Sequence, residues 1–347
     1  MKDGRIRLDR VDELKVGVVG AGSWGTALAH LLASKGYRVD LWVYEPEVRD
    51  CIANMRENPV FLPGIPLSEN LFPSCDMKAV LNEKDLVLVV VPSHVLRSTA
   101  ALMLPHLGPE MIVVSASKGI ENDTLMTMTG VLGESLGVDA ERMAVLSGPS
   151  FAREVARNVP TLVTVASSNI QTAVLVQHVF ATPCFRVYTN GDVIGVELGG
   201  SVKNVIAIAA GMIDGMELGL DTRAALITRG LAEIRRLGLK MGANPHTFAG
   251  LAGVGDLILT CTGELSRNHS VGKKLGQGMR LPEILAEMKM VAEGIKTSRS
   301  VVALARKMGV EMPISTEVYN ILYEDCSPKE ALFRLMTRDL KHEYEEE

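Results

Sequence analysis

The chain has 347 residues, 47% of them hydrophobic and 22% charged, with a net charge of −5. That is globular composition, long enough for two cores, and the lack of a long basic run excludes nucleic acid as the main partner. No 18-residue apolar span stands out, so no transmembrane helix is expected, while five scattered cysteines (Cys51, Cys75, Cys184, Cys261 and Cys326) without CxxC spacing read as reduced cytoplasmic thiols, with neither disulfides nor a metal site.

Residues 1–14 are rich in charge and lack the apolar segment of a signal peptide, so they read as a frayed extension. Residues 15–19 form a buried strand that runs into Gly20-Ala21-Gly22-Ser23-Trp24-Gly25 and a helix over 26–35, which Gly36 stops. Further strands are expected at 38–42, 85–91, 111–115, 143–146, 161–166 and 185–188. Continuous apolar strands alternating with helices predict a mostly parallel sheet covered on both faces. Beyond about residue 192 only helical patterns remain, at 195–213, 222–241, 244–252, 269–277, 293–308, 315–323 and 328–338. The fold class is therefore α/β: a Rossmann-like doubly wound domain over 15–192, then an all-helical domain over 193–347. The acidic end, Glu343 to Glu347, reads as a solvated tail.

Gly20, Gly22 and Gly25 form GxGxxG between a strand and a helix, the context that dinucleotide binding demands. Gly20 permits the turn, Gly22 lets backbone approach a pyrophosphate, and Gly25 lets helix and strand pack. A helix N-terminus then faces the phosphates. The plain alternative is a glycine turn with no ligand. Glu45 lies 20 residues beyond Gly25, where a carboxylate would hold a ribose 2′-hydroxyl and favour NAD over NADP. Arg49, one helical turn on, is placed to meet a 2′-phosphate, and Glu45 reads equally as a surface acid.

The helical half contains an anomaly. Lys203 stands in an almost uncharged helix on a face made of Gly200, Asn204, Ala207, Ala210 and Gly211. That face is too small and too uncharged for ordinary solvation, and a Gly/Ala surface left open would let substrate reach the ammonium. A snorkelling surface lysine is the plain reading. Ser117-Lys118-Gly119 and Ser147-Gly148-Pro149-Ser150 each follow a strand, at the edge where open α/β sheets bind ligands. Gly253-Val254-Gly255-Asp256 leads to Thr260-Cys261-Thr262, and Asp256 alone reads as a turn former. Ser266-Arg267-Asn268 opens a helix and suits a phosphate, or is an ordinary N-cap. His94 reads as a loop histidine or a nicotinamide contact.

Taken together, these motifs resemble the bacterial NAD(P)-dependent glycerol-3-phosphate dehydrogenases. The resemblance runs in order through Gly20 to Ala29, Val91-Pro92-Ser93-His94, Ser117 to Ile120, Leu146 to Ala152, Phe185 to Tyr188, Gly199 to Asn204, Ala225 to Glu233, Gly253 to Leu257, Ser266 to Asn268 and Val291 to Gly294. It implies interconversion of dihydroxyacetone phosphate and sn-glycerol 3-phosphate with NAD or NADP, in support of phospholipid synthesis, by a cytoplasmic homodimer. It implies Lys203 as proton acceptor, and Lys118, Gly148, Ser150, Asp256, Ser266, Arg267 and Asn268 around the substrate. Ser23, Trp24, Tyr44, Lys118, Ala152, Arg267, Val291 and Glu293 would line the cofactor. Two departures stand out: Ser201 where the family usually has Ala or Thr, and Tyr44-Glu45 where members often have His or Arg. A β-hydroxyacid dehydrogenase would share a helix lysine but take a carboxylate substrate. A dinucleotide sensor would have no use for Lys203, Asp256 and Arg267 together.

Overall fold

The computed structural model describes residues 8–288 and 290–343. Eight strands form one sheet: β1 (Val16–Val19), β2 (Val39–Trp42), β3 (Leu71–Ser74), β4 (Leu86–Val89), β5 (Ile112–Ser115), β6 (Met143–Ser147), β7 (Thr161–Ala166) and β8 (Phe185–Asn190). Their order is β3-β2-β1-β4-β5-β6-β7-β8. All pairings are parallel except β6 with β7. The apolar run 86–89 is buried at every position, as a central strand covered on both faces must be. Helices α1 (Ser23–Lys35), α2 (Pro46–Met55), α3 (Met77–Leu81), α4 (Leu96–Met103), α5 (Met128–Leu136), α6 (Ala152–Val155) and α7 (Ile170–Phe180) connect the strands. Strand order reverses between β1 and β4, which opens a crevice at the carboxyl edge where Gly20 lies.

Among the described residues nine α-helices follow: α8 (Val193–Gly215), α9 (Gly219–Lys240), α10 (Pro245–Phe248), α11 (Asp256–Thr262), α12 (Arg267–Gly276), α13 (Leu281–Glu287), α14 (Glu293–Met308), α15 (Pro313–Tyr323) and α16 (Pro328–Met336). Asp192 starts this half. One carboxylate oxygen caps α8 by accepting from Gly195 N–H (2.9 Å), and the other accepts from Asn244 N–H (2.9 Å) and Thr247 Oγ1 (2.7 Å). α8 is long and apolar enough to cross a membrane by length and composition, which corrects the expectation that no such span exists. It serves instead as the core helix, with 89% of that apolar window buried inside the fold. Helices α9, α10, α11, α12, α14 and α15 pack against it.

Three further expectations change. Leu8–Glu13 form a 3-10 helix rather than a frayed end, with Val11 and Leu14 buried in the main core; residues 1–7 lie outside the described part. The helix expected over 244–252 ends at Phe248, and Leu251–Gly255 form an irregular wider turn with Gly253 at φ −99°, ψ −105°. The small face of α8 is not left open. A Cβ at Gly211 would lie 2.0 Å from His269 O and one at Gly215 2.2 Å from Lys273 O, so the small residues admit the α12 backbone. Ala207 and Ala210 are fully buried.

α15 is held by a carboxyl group from another helix. The N-cap, Met312, makes no side-chain cap bond, and the buried Glu233 of α9 accepts from Ser315 N–H (3.1 Å), Ser315 Oγ (2.9 Å) and Ile314 N–H. Burial raises the Glu233 pKa to about 7 against these bonds. A carboxyl raised in the folded state favours folding while protonated, and loses that advantage as pH climbs from its unfolded value to its folded one. Stability should therefore fall by about 3 kcal/mol between mildly acidic and slightly alkaline pH through this group. Glu233→Gln should abolish that slope in urea titrations at several pH values; an unchanged slope would assign it elsewhere.

Candidate active site

The glycine turn has the shape that a dinucleotide requires. Gly20 has φ +116°, and a Cβ there would lie 2.3 Å from Val90 O of the neighbouring crossover. A Cβ at Gly25 would meet Gly20 O at 1.9 Å, so helix and turn touch through backbone alone. Around Gly22 a Cβ would find no atom within 4 Å, leaving room for a ligand at the N-terminus of α1. That terminus has neither a side-chain cap bond nor an acidic residue in its first turn. Its unsatisfied N–H groups and positive dipole end suit a pyrophosphate. Beside it, Trp24 Nε1 is buried without a partner. These features fit a nicotinamide dinucleotide.

Around this turn the other cofactor candidates are spread over both halves. Ser23 Oγ donates to Phe61 O (2.6 Å) and lies 3.3 Å from Met290 Sδ. Tyr44 is exposed, edge-on to Trp42 at 6.1 Å. Glu45 is the N-cap of α2 yet makes no cap bond, so its carboxylate is not committed to the helix. Arg49 pairs with Asp50 at 2.9 Å. Ala152 begins α6, and Val291 is exposed just before α14. Glu293, at the start of α14, accepts from Ser93 Oγ (2.6 Å) and Ser93 N–H (3.3 Å), joining the helical half to the loop after β4. Burial raises the Glu293 pKa, and the Ser93 bonds and Arg267 oppose that rise. His94 is exposed beside this link, and its pKa is lowered by burial and by Lys296.

Lys203 does not snorkel: it is only 5% exposed. Its Nζ donates to Asp256 Oδ1 and to Thr260 Oγ1 (2.8 Å). Lys118 Nζ donates to the other carboxylate oxygen, Asp256 Oδ2, at 2.8 Å. Two ammonium groups from different halves of the fold thus share one carboxylate, itself 1% exposed. Burial is the largest influence on Lys203 and brings its pKa down to about 7; Lys118 adds to the decrease and Asp256 resists it.

The local fold explains this convergence. A Cβ at Gly199 would lie 2.3 Å from Ala252 O, so α8 and the 251–255 turn meet backbone to backbone. The turn then aims Asp256, in the first turn of α11, at Lys203. Gly200 of that helix is turned toward the site: a Cβ there would meet Ser147 Oγ at 2.5 Å and Lys118 Cδ at 3.8 Å. Ser147 Oγ is buried and unpartnered. Gly148, at φ +144°, and Ser150, which donates to Gly148 O (3.0 Å), continue from it.

Across α8, Ser266 is the N-cap of α12, accepting from His269 N–H (3.2 Å). Asn268 Nδ2 donates to Asn204 Oδ1 (2.9 Å), beside Lys203, while its Oδ1 accepts from Gly294 N–H (2.9 Å), beside Glu293. Arg267 is exposed, with Glu293 the carboxylate that acts on it. So Ser266 caps its own helix, Asn268 fastens α12 to α8 and α14, and of this trio Arg267 has the charge free to meet an anion. Thr260, noted in the sequence without a role, is one helical turn past Asp256. That i, i+4 spacing places it on the Asp256 face.

Two family models match: the N-terminal part of NAD-dependent glycerol-3-phosphate dehydrogenase over residues 15–173 and its C-terminal part over 192–333. The chain belongs to the NAD-dependent glycerol-3-phosphate dehydrogenase family. The glycerol-3-phosphate dehydrogenase (NAD(P)+) of Syntrophobacter fumaroxidans is 59% identical over 331 residues, covering 95% of this chain and 97% of the relative. That of Geobacter metallireducens is 58% identical over 330 residues, covering 95% and 98%. Among solved structures, the glycerol-3-phosphate dehydrogenase of Coxiella burnetii superposes with TM-score 0.90 at 42% identity, covering 94% of this chain and 99% of that one. The family is NAD(P)-dependent, which agrees with the fit of the glycine turn to a dinucleotide.

Proposed function

We propose that this chain interconverts dihydroxyacetone phosphate and sn-glycerol 3-phosphate, with residues 15–192 holding NAD or NADP and residues 193–347 supplying the catalytic helix. The observation that carries this reading is the buried Lys203–Asp256–Lys118 bridge, which joins a helix lysine to the carboxyl edge of the dinucleotide sheet. A nicotinamide held by the glycine turn would supply or accept hydride at C2. Lys203 donates a proton to the C2 oxygen during reduction and accepts it during oxidation. Its ammonium also stabilises the negative charge that grows on that oxygen. With a pKa near 7 both proton forms are accessible at neutral pH. Asp256 and Thr260 orient the ammonium, and Lys118 supplies a second positive charge from the sheet side.

Gly148 and Ser150 close the substrate space from the sheet edge, where Ser147 offers an unpaired hydroxyl. Arg267 takes the phosphate as an ion pair, with Ser266 and Asn268 fixing the helix that carries it. Gly20, Gly22, Ser23, Trp24 and Gly25 take the pyrophosphate side of the cofactor. Tyr44 and Glu45 flank the ribose, and the uncommitted Glu45 carboxylate favours NAD. Lys118, Ala152, Arg267, Val291 and Glu293 complete the site from both halves. Exposed Phe333 and Met336 on α16 support a homodimer that covers them. Free cysteines support a cytoplasmic location, and the product would feed phospholipid synthesis.

NADH oxidation started with dihydroxyacetone phosphate or with unphosphorylated dihydroxyacetone tests the substrate assignment. Arg267→Ala should raise KM for the phosphorylated ketone by about 10²-fold, the loss of one charged bidentate contact. With NADH saturating, which sets aside the part Arg267 takes in the cofactor site, it should hardly change kcat/KM for dihydroxyacetone. Equal losses on both would place Arg267 outside the phosphate site.

A further inference from the structure

The turn that carries Lys118 is fastened on both sides by a serine hydroxyl. Ser117 Oγ accepts from Val91 N–H (3.1 Å) and donates to Val91 C=O (2.8 Å), tying the turn to the end of β4. Ser201 Oγ accepts from Gly119 N–H (2.9 Å) and donates to Gly119 C=O (3.1 Å), tying the same turn to α8. Ser201 is 2% exposed, so each of these bonds lies out of water. Gly119 cannot be wedged by a side chain of its own. It has φ +152°, and a Cβ there would sit 2.5 Å from Ser93 Cβ. Hydrogen bonds must fix what bulk cannot. One helical turn earlier on α8, buried Glu197 holds Thr129 N–H (2.8 Å) and Thr129 Oγ1 (2.6 Å), so α8 grips this crossover at both ends.

We infer that Ser201 is a positioning residue: its hydroxyl locks the Gly119 peptide to the helix of Lys203 and so aims the Lys118 ammonium at Asp256. Lys203 follows two positions later on α8, and Lys118 precedes the clamped peptide by one. Only Lys118's flexible side chain then separates the clamp from the Asp256 bridge. Removing the hydroxyl leaves a buried N–H and a buried C=O without partners, and the turn relaxes to satisfy them. Lys118 then drifts from the bridge. The charged and titratable groups that act on Lys203 are Lys118 from this turn and Asp256 and Cys261 from α11. Loss of Lys118 removes a like charge, so the Lys203 ammonium persists to higher pH.

This inference rests on the proposed roles of Lys118 and Lys203, and the experiment separates the two. The pH dependence of kcat/KM for dihydroxyacetone phosphate reduction is measured for Ser201→Ala, Ser201→Thr, Lys118→Met and the Ser201→Ala/Lys118→Met double variant. Ser201→Ala should lower kcat/KM by about 10-fold to 10²-fold, the usual scale for a misplaced catalytic group. It should also shift the alkaline limb upward. Ser201→Thr, which keeps the hydroxyl, should restore both. Lys118→Met should shift the limb the same way, and adding Ser201→Ala to it should change nothing further. A merely destabilised protein would lose amplitude with its limb unmoved. If Ser201→Ala does not fold, Ser201→Cys, of similar size but a poor hydrogen-bonding group, gives the same readout. An impaired Lys118→Met beside an unshifted Ser201 variant, or additive losses in the double variant, would overturn the inference alone. Wild-type behaviour of Lys118→Met would overturn the site reading beneath it.

Discussion

Lys203→Ala should abolish turnover while leaving NADH binding intact. Among the described residues the side chain is the one buried ammonium held by both a carboxylate and a hydroxyl of α11, so no neighbour on α8 replaces it. General acid–base transfer contributes roughly 10² to 10⁴-fold. Loss of charge at the C2 oxygen removes a further ~10²-fold. A fall in kcat of at least ~10⁴-fold is expected from the two together. The dinucleotide turn at Gly20 to Gly25 lies on β1 and α1, apart from α8, so NADH affinity by fluorescence titration should stay near wild type. Lys118 does not take over, because it approaches the opposite oxygen of Asp256. A kcat within ten-fold of wild type would remove Lys203 from the proton path.

The two halves of the chain were legible to different degrees, for physical reasons. The central strands announce themselves because burial on both faces forces unbroken apolar runs, as at 86–89 and 112–114. β3 (Leu71–Ser74) carries Pro73 and sits at the sheet edge, so neither run nor alternation marks it. In α8 the sequence isolates Lys203 but misreads its small face, because Gly and Ala admit a helix backbone as readily as a substrate. Only contact with α12 distinguishes the two at Gly211 and Gly215. Asp256 looks like a turn former because it follows a glycine turn, yet it is the first residue of α11: Gly253 and Gly255 bend the chain ahead of it, and the bend delivers the carboxylate to Lys203. Its pairing with Lys118 spans 138 residues, a separation that no periodicity encodes. Ser201 reads as a harmless departure in sequence, since its partner is the backbone of Gly119 and backbone leaves no trace in residue identity.

Asp256→Asn should be nearly as damaging as loss of Lys203, but its damage should depend on pH. One carboxylate balances two ammonium groups in a buried site, and removing its charge leaves them repelling each other. At ~4 Å and an effective dielectric of ~20, one such attraction is worth about 4 kcal/mol, nearly three decades at ~1.36 kcal/mol each. Asp256 is what resists the fall of the Lys203 pKa, so without it that pKa drops further below its ordinary value. At neutral pH the lysine is then neutral and has no proton to give the ketone. Reduction of dihydroxyacetone phosphate should fall by ~10² to 10³-fold near neutrality. The sign distinguishes causes. The alkaline limb of kcat/KM should move toward acid, opposite to the shift expected when Lys118 is lost. Acidification should restore part of the rate, because the proton donor is still present, whereas Lys203→Ala should stay inactive at every pH. A pH-independent loss in Asp256→Asn would mean that the carboxylate holds α11 in place without governing the proton on Lys203.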